Sequence, residues 1–183
     1  ASTEAKAVAA GDSSDNTFAQ YESAVSTSAD NVATWATSAR DAAISARSAT
    51  TLDVASGGRV IYGLGVGGDS PHDFRSVGIS EEHRGSRTDE TIAIMKRLWS
   101  EESVTHKGRF YQLDNISQRP YPIQQPHPPL WVGGRQEAAM RRAARFGDGW
   151  LPYLYTAERY QKSVKVIKEA AAREGRDLAH FEW

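Results

Sequence analysis

An α/β fold built on parallel strands is what this sequence predicts, and two observations carry the prediction. Short apolar runs alternate with longer stretches of helical spacing, the pattern of successive strand–helix units. Only one pair of runs, in "VTHKGRFYQL", lies close enough to turn back on itself as a hairpin. The 183 residues suffice for one domain, and a single domain over residues 1–183 is expected.

Residues 1–50 are rich in Ala, Ser and Thr. Phe18, Tyr21 and Val25 still fall at helical spacing behind Asp15 or Asn16, so a first helix is expected there. "NVATWATS" reads as a short strand with Val32 and Trp35 its only bulky members. "RDAAISARSATTLDVASGGR" is a second helix, stopped by Gly57 and Gly58. "RVIYGLGVGG" is a strand, and "DSPHDFRSVGISEEHRG" is a loop long enough to be functional. "SRTDETIAIMKRLWSEE" has the strongest helical pattern: Ile92, Met95 and Trp99 line one face, and Ile94 and Leu98 widen it. The hairpin turns at Lys107-Gly108, and the proline-rich "RPYPIQQPHPP" then delivers the chain to the strand "LWVGG". The helix "RQEAAMRRAARFG", the strand "GDGWLPY" and the helix "TAERYQKSVKVIKEAAAREG" follow, and "RDLAHFEW" is expected to fray.

This order contains about four parallel strands by the pattern rules. A closed (β/α)₈ barrel needs eight strands and about 250 residues. The pattern therefore fits either a small doubly wound sheet or a piece of a barrel.

Composition narrows the function classes. A net charge of −1 gives no electrostatic reason for a nucleic-acid or anionic-membrane partner, and neither is expected. With no cysteine, disulfides, thiolate nucleophiles and cysteine-ligated metals drop out together. No apolar run approaches a membrane span and the first residues do not read as a signal peptide, so a cytoplasmic location is expected. The start without methionine points to processing or to a missing N-terminal piece. His72, His83, His106, His127 and His180 show no metal-ligand spacing, and no metal site is expected.

Two glycine clusters are the candidate binding features. Gly63, Gly65 and Gly67 alternate along a strand, which clears one face near its carboxyl end. Either something large and flat lies there, or bulky barrel neighbours need the room. Gly63, Gly65 and Gly68 also match G-x-G-x-x-G, but no helix opens at once and no acid ends a following strand, so the match is read as accidental. Gly133-Gly134 ends a strand, and the next helix begins without a capping side chain. Its unpaired N–H groups and dipole make a ready anion site, to which Arg135 would add a guanidinium and from which Glu137 subtracts. The alternative is a tight strand-to-helix turn with Arg135 solvated. His72 and Asp73 sit where an acid or base could reach a ligand, or are solvated. Asp148 shapes the turn into the last strand, Trp150 is an aromatic wall or core, and Arg141, Arg142 and Arg145 read as a solvated face.

Five blocks, "ATTLDVASGGRVIYGLGVGG", "RTDETIAIMKRLW", "HKGRFYQL", "PYPIQQPHPPLWVGG" and "AAMRRAARFGDGWLP", occur in the order found in the luciferase-like flavin-dependent oxidoreductases. The chain resembles that family, its F-420-dependent branch most, over residues 47–177 strongly and residues 1–46 weakly. The resemblance implies a partial (β/α)₈ TIM barrel, roughly strands three to six with one hairpin insertion. It implies FMN or coenzyme F-420 at the carboxyl ends of the strands, with NAD(P)H as a possible electron donor. Gly133 and Gly134 match the turn that binds the cofactor phosphate, with Arg135 beside it. Gly65, Val66 and Gly67 match the strand end beside the ring, and Trp150 stands as a possible cofactor wall. Several F-420 enzymes carry Glu where this chain has Gly68, a departure that bears on cofactor choice.

The implied activity is hydride transfer between reduced cofactor and a small organic substrate, or monooxygenation with FMN. No catalytic residue is assigned. The alternatives are a truncated, non-catalytic flavin-binding or assembly protein and a small Rossmann-like dehydrogenase. An open half-barrel would expose strand edges, so a fragment, a truncated gene product, or a homo-oligomer or partner chain is expected.

Overall fold

The structure, a computed structural model, describes residues 39–183 except 69 and 77–79. The helix expected at Phe18–Val25 and the strand around Val32 and Trp35 lie outside the described residues. Helix α1 spans Ala39–Ser56, strand β1 Tyr62–Leu64, helix α2 Pro71–Ser76 and helix α3 Arg84–Ser100. A hairpin of β2 (Val104–Lys107) and β3 (Gln112–Ile116) follows. Strand β4 (Leu130–Gly133), helix α4 (Glu137–Phe146), strand β5 (Gly149–Leu151) and helix α5 (Ala157–Arg173) complete the described elements. The expected loop after β1 thus contains a short helix, α2, opened by Pro71 and carrying Asp73 in its first turn, both favourable there.

Strands β1, β4 and β5 form one parallel sheet in that order, while β2 and β3 pair antiparallel apart from it. The fold is α/β, as the alternating pattern predicts. Strand β1 is shorter than expected: it ends at Leu64, so Gly65 and Gly67 lie in the loop beyond it.

Register decides which face is core. Tyr62 is level with Leu130, Leu64 with Val132, and Val132 with Trp150. These side chains share the helix-covered face, where Leu64, Leu130, Val132 and Trp150 are buried. The other face carries the row Gly63, Trp131 and Gly149, with Gly133 and Leu151 in the next row. A Cβ on Gly149 would stand 2.6 Å from the Trp131 ring, so one indole covers the ground of its neighbour. Ile61 and Leu151, 52% and 51% exposed, mark this face as open among the described residues.

Helix α3 buries Ile92, Ile94, Met95, Leu98 and Trp99, the stripe expected from its spacing. Burying each large side chain of this kind contributes about 1.5–3 kcal/mol, so this stripe is a main source of stability. Ala42, Ala46 and Ala49 present a small-residue face on α1, and Trp99 Nε1 reaches across it to the Ala46 carbonyl at 2.9 Å. The hairpin is held to α3 by Glu90, whose carboxylate accepts from the N–H groups of Phe110 and Tyr111 at 3.1 and 3.0 Å and meets His106 Nε2 at 3.0 Å.

Two further expectations are corrected. Arg142 is not solvated: it is buried, pairs with Asp89 and donates to the Gly85 carbonyl at 3.0 Å, because α4 packs that side against α3. The C-terminal residues do not fray. Glu182 pairs beside Gly149, and Phe181 is buried against the core.

Candidate functional site

Parallel strands bring all their carboxyl ends to one edge. Here that edge gathers the Gly65–Gly68 loop after β1, the Gly133–Gln136 turn after β4, and Pro152–Thr156 after β5. Ligands of parallel α/β folds bind at such an edge.

The turn after β4 differs from the expectation in one respect. Helix α4 begins at Glu137 with Gln136 as its N-cap, and no side chain caps it. The Gly134 N–H is already used, donating to the Leu151 carbonyl at 3.2 Å as the sheet's last rung. The N–H groups without an acceptor among the described residues belong to Gln136, Glu137 and Ala138, while Ala139 and Met140 both donate to the Gln136 carbonyl. Gly134 has φ +135°, and a Cβ there would stand 2.7 Å from Ala139 Cβ, so only glycine makes this turn without strain.

The carbonyls of the same turn are pinned away from those N–H groups. Trp150 Nε1 donates to the Gly134 carbonyl at 2.9 Å. The Arg135 carbonyl accepts from the Tyr155 hydroxyl at 3.0 Å and from Arg159 Nη2 at 3.2 Å. Trp150 is 2% exposed, stacked on Tyr160 with ring centres 5.6 Å apart, and edge-on to Tyr155 at 5.4 Å. Trp150 is therefore placed as core that supports the turn from behind. Arg135 lies with its guanidinium carbon 5.1 Å from the Tyr153 ring centre. Glu137 pairs with Arg141 one turn further on, which draws its charge along the helix.

Across from this turn, Gly65 has open space where a side chain would be. Gly67 has φ +97°, and a Cβ there would stand 2.6 Å from Phe74. Val66 between them is half-buried. Gly133, level with Leu151, would bring a Cβ within 3.6 Å of the Leu64 carbonyl, so the two glycine segments are neighbours. His72 is exposed with Nδ1 3.2 Å from Arg75 Nη2.

Tyr155 and Arg159 escaped sequence reading. The available signal was position alone: residues just past a parallel strand fall at this edge. A groove of about 590 Å³ lies elsewhere, between Ile44 and Arg47 of α1, Leu98 of α3 and Leu113 and Ile116 of the hairpin. None of its lining comes from the three parallel strands or the turns after them. Among the described residues no helix is long and apolar enough to cross a membrane, and no group of three or more His, Asp or Glu is placed to hold a metal.

At the carboxyl edge of the parallel sheet, a glycine-rich loop thus stands across from a helix start that no side chain caps. Residues 32–183 match the family model for luciferase-like monooxygenases, and the chain belongs to that family. It is 29% identical over 136 residues to an FMNH(2)-dependent dimethylsulfone monooxygenase of Pseudomonas putida, covering 73% of this chain and 37% of that protein. The monooxygenase RslO1 from Streptomyces bottropensis superposes with a TM-score of 0.63 at 32% identity, over 72% of this chain and 41% of that one. An F420-dependent secondary alcohol dehydrogenase, solved with an F420-acetone adduct, superposes at 0.70 with 24% identity, over 80% and 44%. The chain thus spans less than half the length of each of these relatives.

Proposed function

We propose that this chain carries the phosphate-and-ring side of the cofactor site of a flavin- or F-420-dependent oxidoreductase acting on a small organic molecule. One observation carries the reading: the Gln136, Glu137 and Ala138 N–H groups lack acceptors while the neighbouring carbonyls are held by Trp150, Tyr155 and Arg159. A phosphate is the acceptor that such a helix start suits, since both the free donors and the dipole favour an anion. Gly134 lets the backbone approach, and Arg135 stands beside the seat. Gly65, with open space where a side chain would be, leaves ground clear for a flat ring, and the backbone of Val66 and Gly67 continues that edge. FMN would supply oxygen activation, and the deazaflavin two-electron hydride transfer, with NAD(P)H as a possible donor.

A second reading, cofactor binding or assembly without turnover, is favoured by the open face, where Ile61 and Leu151 are about half exposed. Such a face suits another chain, a second copy included. Reduction of bound cofactor by a nicotinamide separates the two readings.

The test pairs each cofactor with its phosphate-free ring portion: FMN with riboflavin, and coenzyme F-420 with 8-hydroxy-5-deazariboflavin. Binding to the full chain is followed by cofactor fluorescence, with Gln136→Asp alongside. That substitution installs a capping carboxylate in the expected phosphate seat and adds about 0.5–1 kcal/mol of helix stability. The phosphate-bearing cofactor should lose affinity while its phosphate-free partner does not. Equal binding of both by wild type and variant would refute the phosphate assignment.

A further inference from the structure

We propose that Arg84 is a positioning residue for the cofactor ring, acting through the backbone of Gly67 and Gly68. The inference rests on the cofactor reading above. Gly67 adopts φ +97°, and the Phe74 ring lies directly against its backbone, Cζ falling 2.6 Å from where a Cβ would be. Asp73 fills the equivalent ground at Gly68, whose Cβ would collide with the Asp73 carboxylate. Arg84 closes the assembly from the start of α3. Its Nη1 donates to the Gly68 carbonyl at 3.1 Å, and its guanidinium carbon stands 5.5 Å from the Phe74 ring centre. Arg84 forms no ion pair among the described residues, so the loop and the phenyl ring are the contacts its charge makes.

A loop that carries a flat ring must be bare and stiff together. Bareness calls for glycine, which brings the largest backbone freedom of any residue. A ligand that had to quench this freedom on arrival would bind more weakly, so a loop held in advance is worth affinity. Phe74 supplies the surface, and Arg84 supplies a charged donor and a cation over the ring, both stronger than their neutral counterparts. Sixteen residues separate Arg84 from Gly68, so helix α3 sets the loop's level rather than the loop's own sequence.

Arg84→Gln and Arg84→Lys in the full chain test this with two readouts. Without cofactor, amide hydrogen exchange at Val66, Gly67 and Gly68 should rise about tenfold in Arg84→Gln, with exchange in β4 unchanged. With cofactor, each phosphate-bearing ligand and its phosphate-free partner should lose affinity by the same factor, about three- to tenfold. Arg84→Lys keeps a donor but not the planar cation and should fall between. The phosphate variant Gln136→Asp should differ by discriminating within each pair. If Arg84→Gln binds both members as wild type does, the positioning role is wrong and the cofactor reading survives. If it weakens the phosphate-bearing member alone, Arg84 serves the phosphate and the ring role is wrong. If wild type binds none of the four ligands, the cofactor reading falls and the ring role falls with it.

Discussion

The two ends of the parallel sheet are built on opposite rules. At the amino end, the polar groups around Asp148 find partners. Asp148 accepts from the Leu130 N–H at 3.0 Å, its own N–H donates to the Leu130 carbonyl at 2.6 Å, and its carbonyl accepts from Glu182 at 2.8 Å. Arg176 reaches the Asp148 carboxylate at 3.4 Å and caps the end of α4 at the Ala143 and Ala144 carbonyls. His127 Nδ1, 3.8 Å from Asp148, donates to the Pro128 carbonyl at 2.9 Å. At the carboxyl end, three N–H groups have no acceptor among the described residues, and Leu154 is 79% exposed in a left-handed conformation at φ 55°. Strain and unanswered donors stand at one end and closure at the other, the contrast that the proposed cofactor site expects between a binding edge and a stabilising one.

The division can be broken from either side. Asp148→Ala should have the largest effect on stability, a loss of about 2–3 kcal/mol in urea unfolding, because it leaves Arg176 and the Leu130 N–H without their acceptor. It should leave the preference for a phosphate-bearing cofactor over its phosphate-free partner unchanged. Trp150→Phe removes the donor to the Gly134 carbonyl while keeping a stacked ring. It should cost about 1 kcal/mol, yet lower that preference, seen by titrating FMN against riboflavin. Were Asp148→Ala to change the preference as much as Trp150→Phe, the two ends would not be functionally distinct.

The smallest effect is one of pH. Burial holds the His127 imidazole below its ordinary value, with Lys96 and Arg176 acting in the same direction and Asp148 and the Pro128 carbonyl opposing. The unfolded chain therefore takes up its proton first as pH falls. The stability tied to neutral His127 is intact above the ordinary value of 6.5 and declines below it toward the lower folded value. Unfolding midpoints measured through that window should fall with pH, and His127→Gln should flatten the slope.

Much of this architecture was legible in the sequence, and the remainder had physical reasons to be hidden. The apolar runs of β1, β4 and β5 and the stripe Ile92, Met95, Trp99 follow local spacing, which a chain displays openly. Gly133 and Gly134 were recognisable because a strand meeting an uncapped helix is a local pattern too. The helix start itself fell at Gln136 rather than at Gly133-Gly134, since Gly134 finishes the sheet before the helix begins. The burial of Arg142 depends on Asp89, 53 residues away, and the carbonyl partners Tyr155 and Arg159 lie 20 and 24 residues from Arg135. Such pairings are made by packing, which no spacing rule reads.

The row Gly63, Trp131 and Gly149 has an evolutionary consequence. Its bulk sits in one side chain, and the glycine on β5 has its place filled by that neighbour. Volume in this row can be moved but not simply added. A larger residue at position 149 requires a smaller one at 131, because the two compete for the same space. Position 63, with nothing within 4 Å of a Cβ, carries no such debt. Relatives that differ here should therefore change 131 and 149 as a pair while 63 drifts alone.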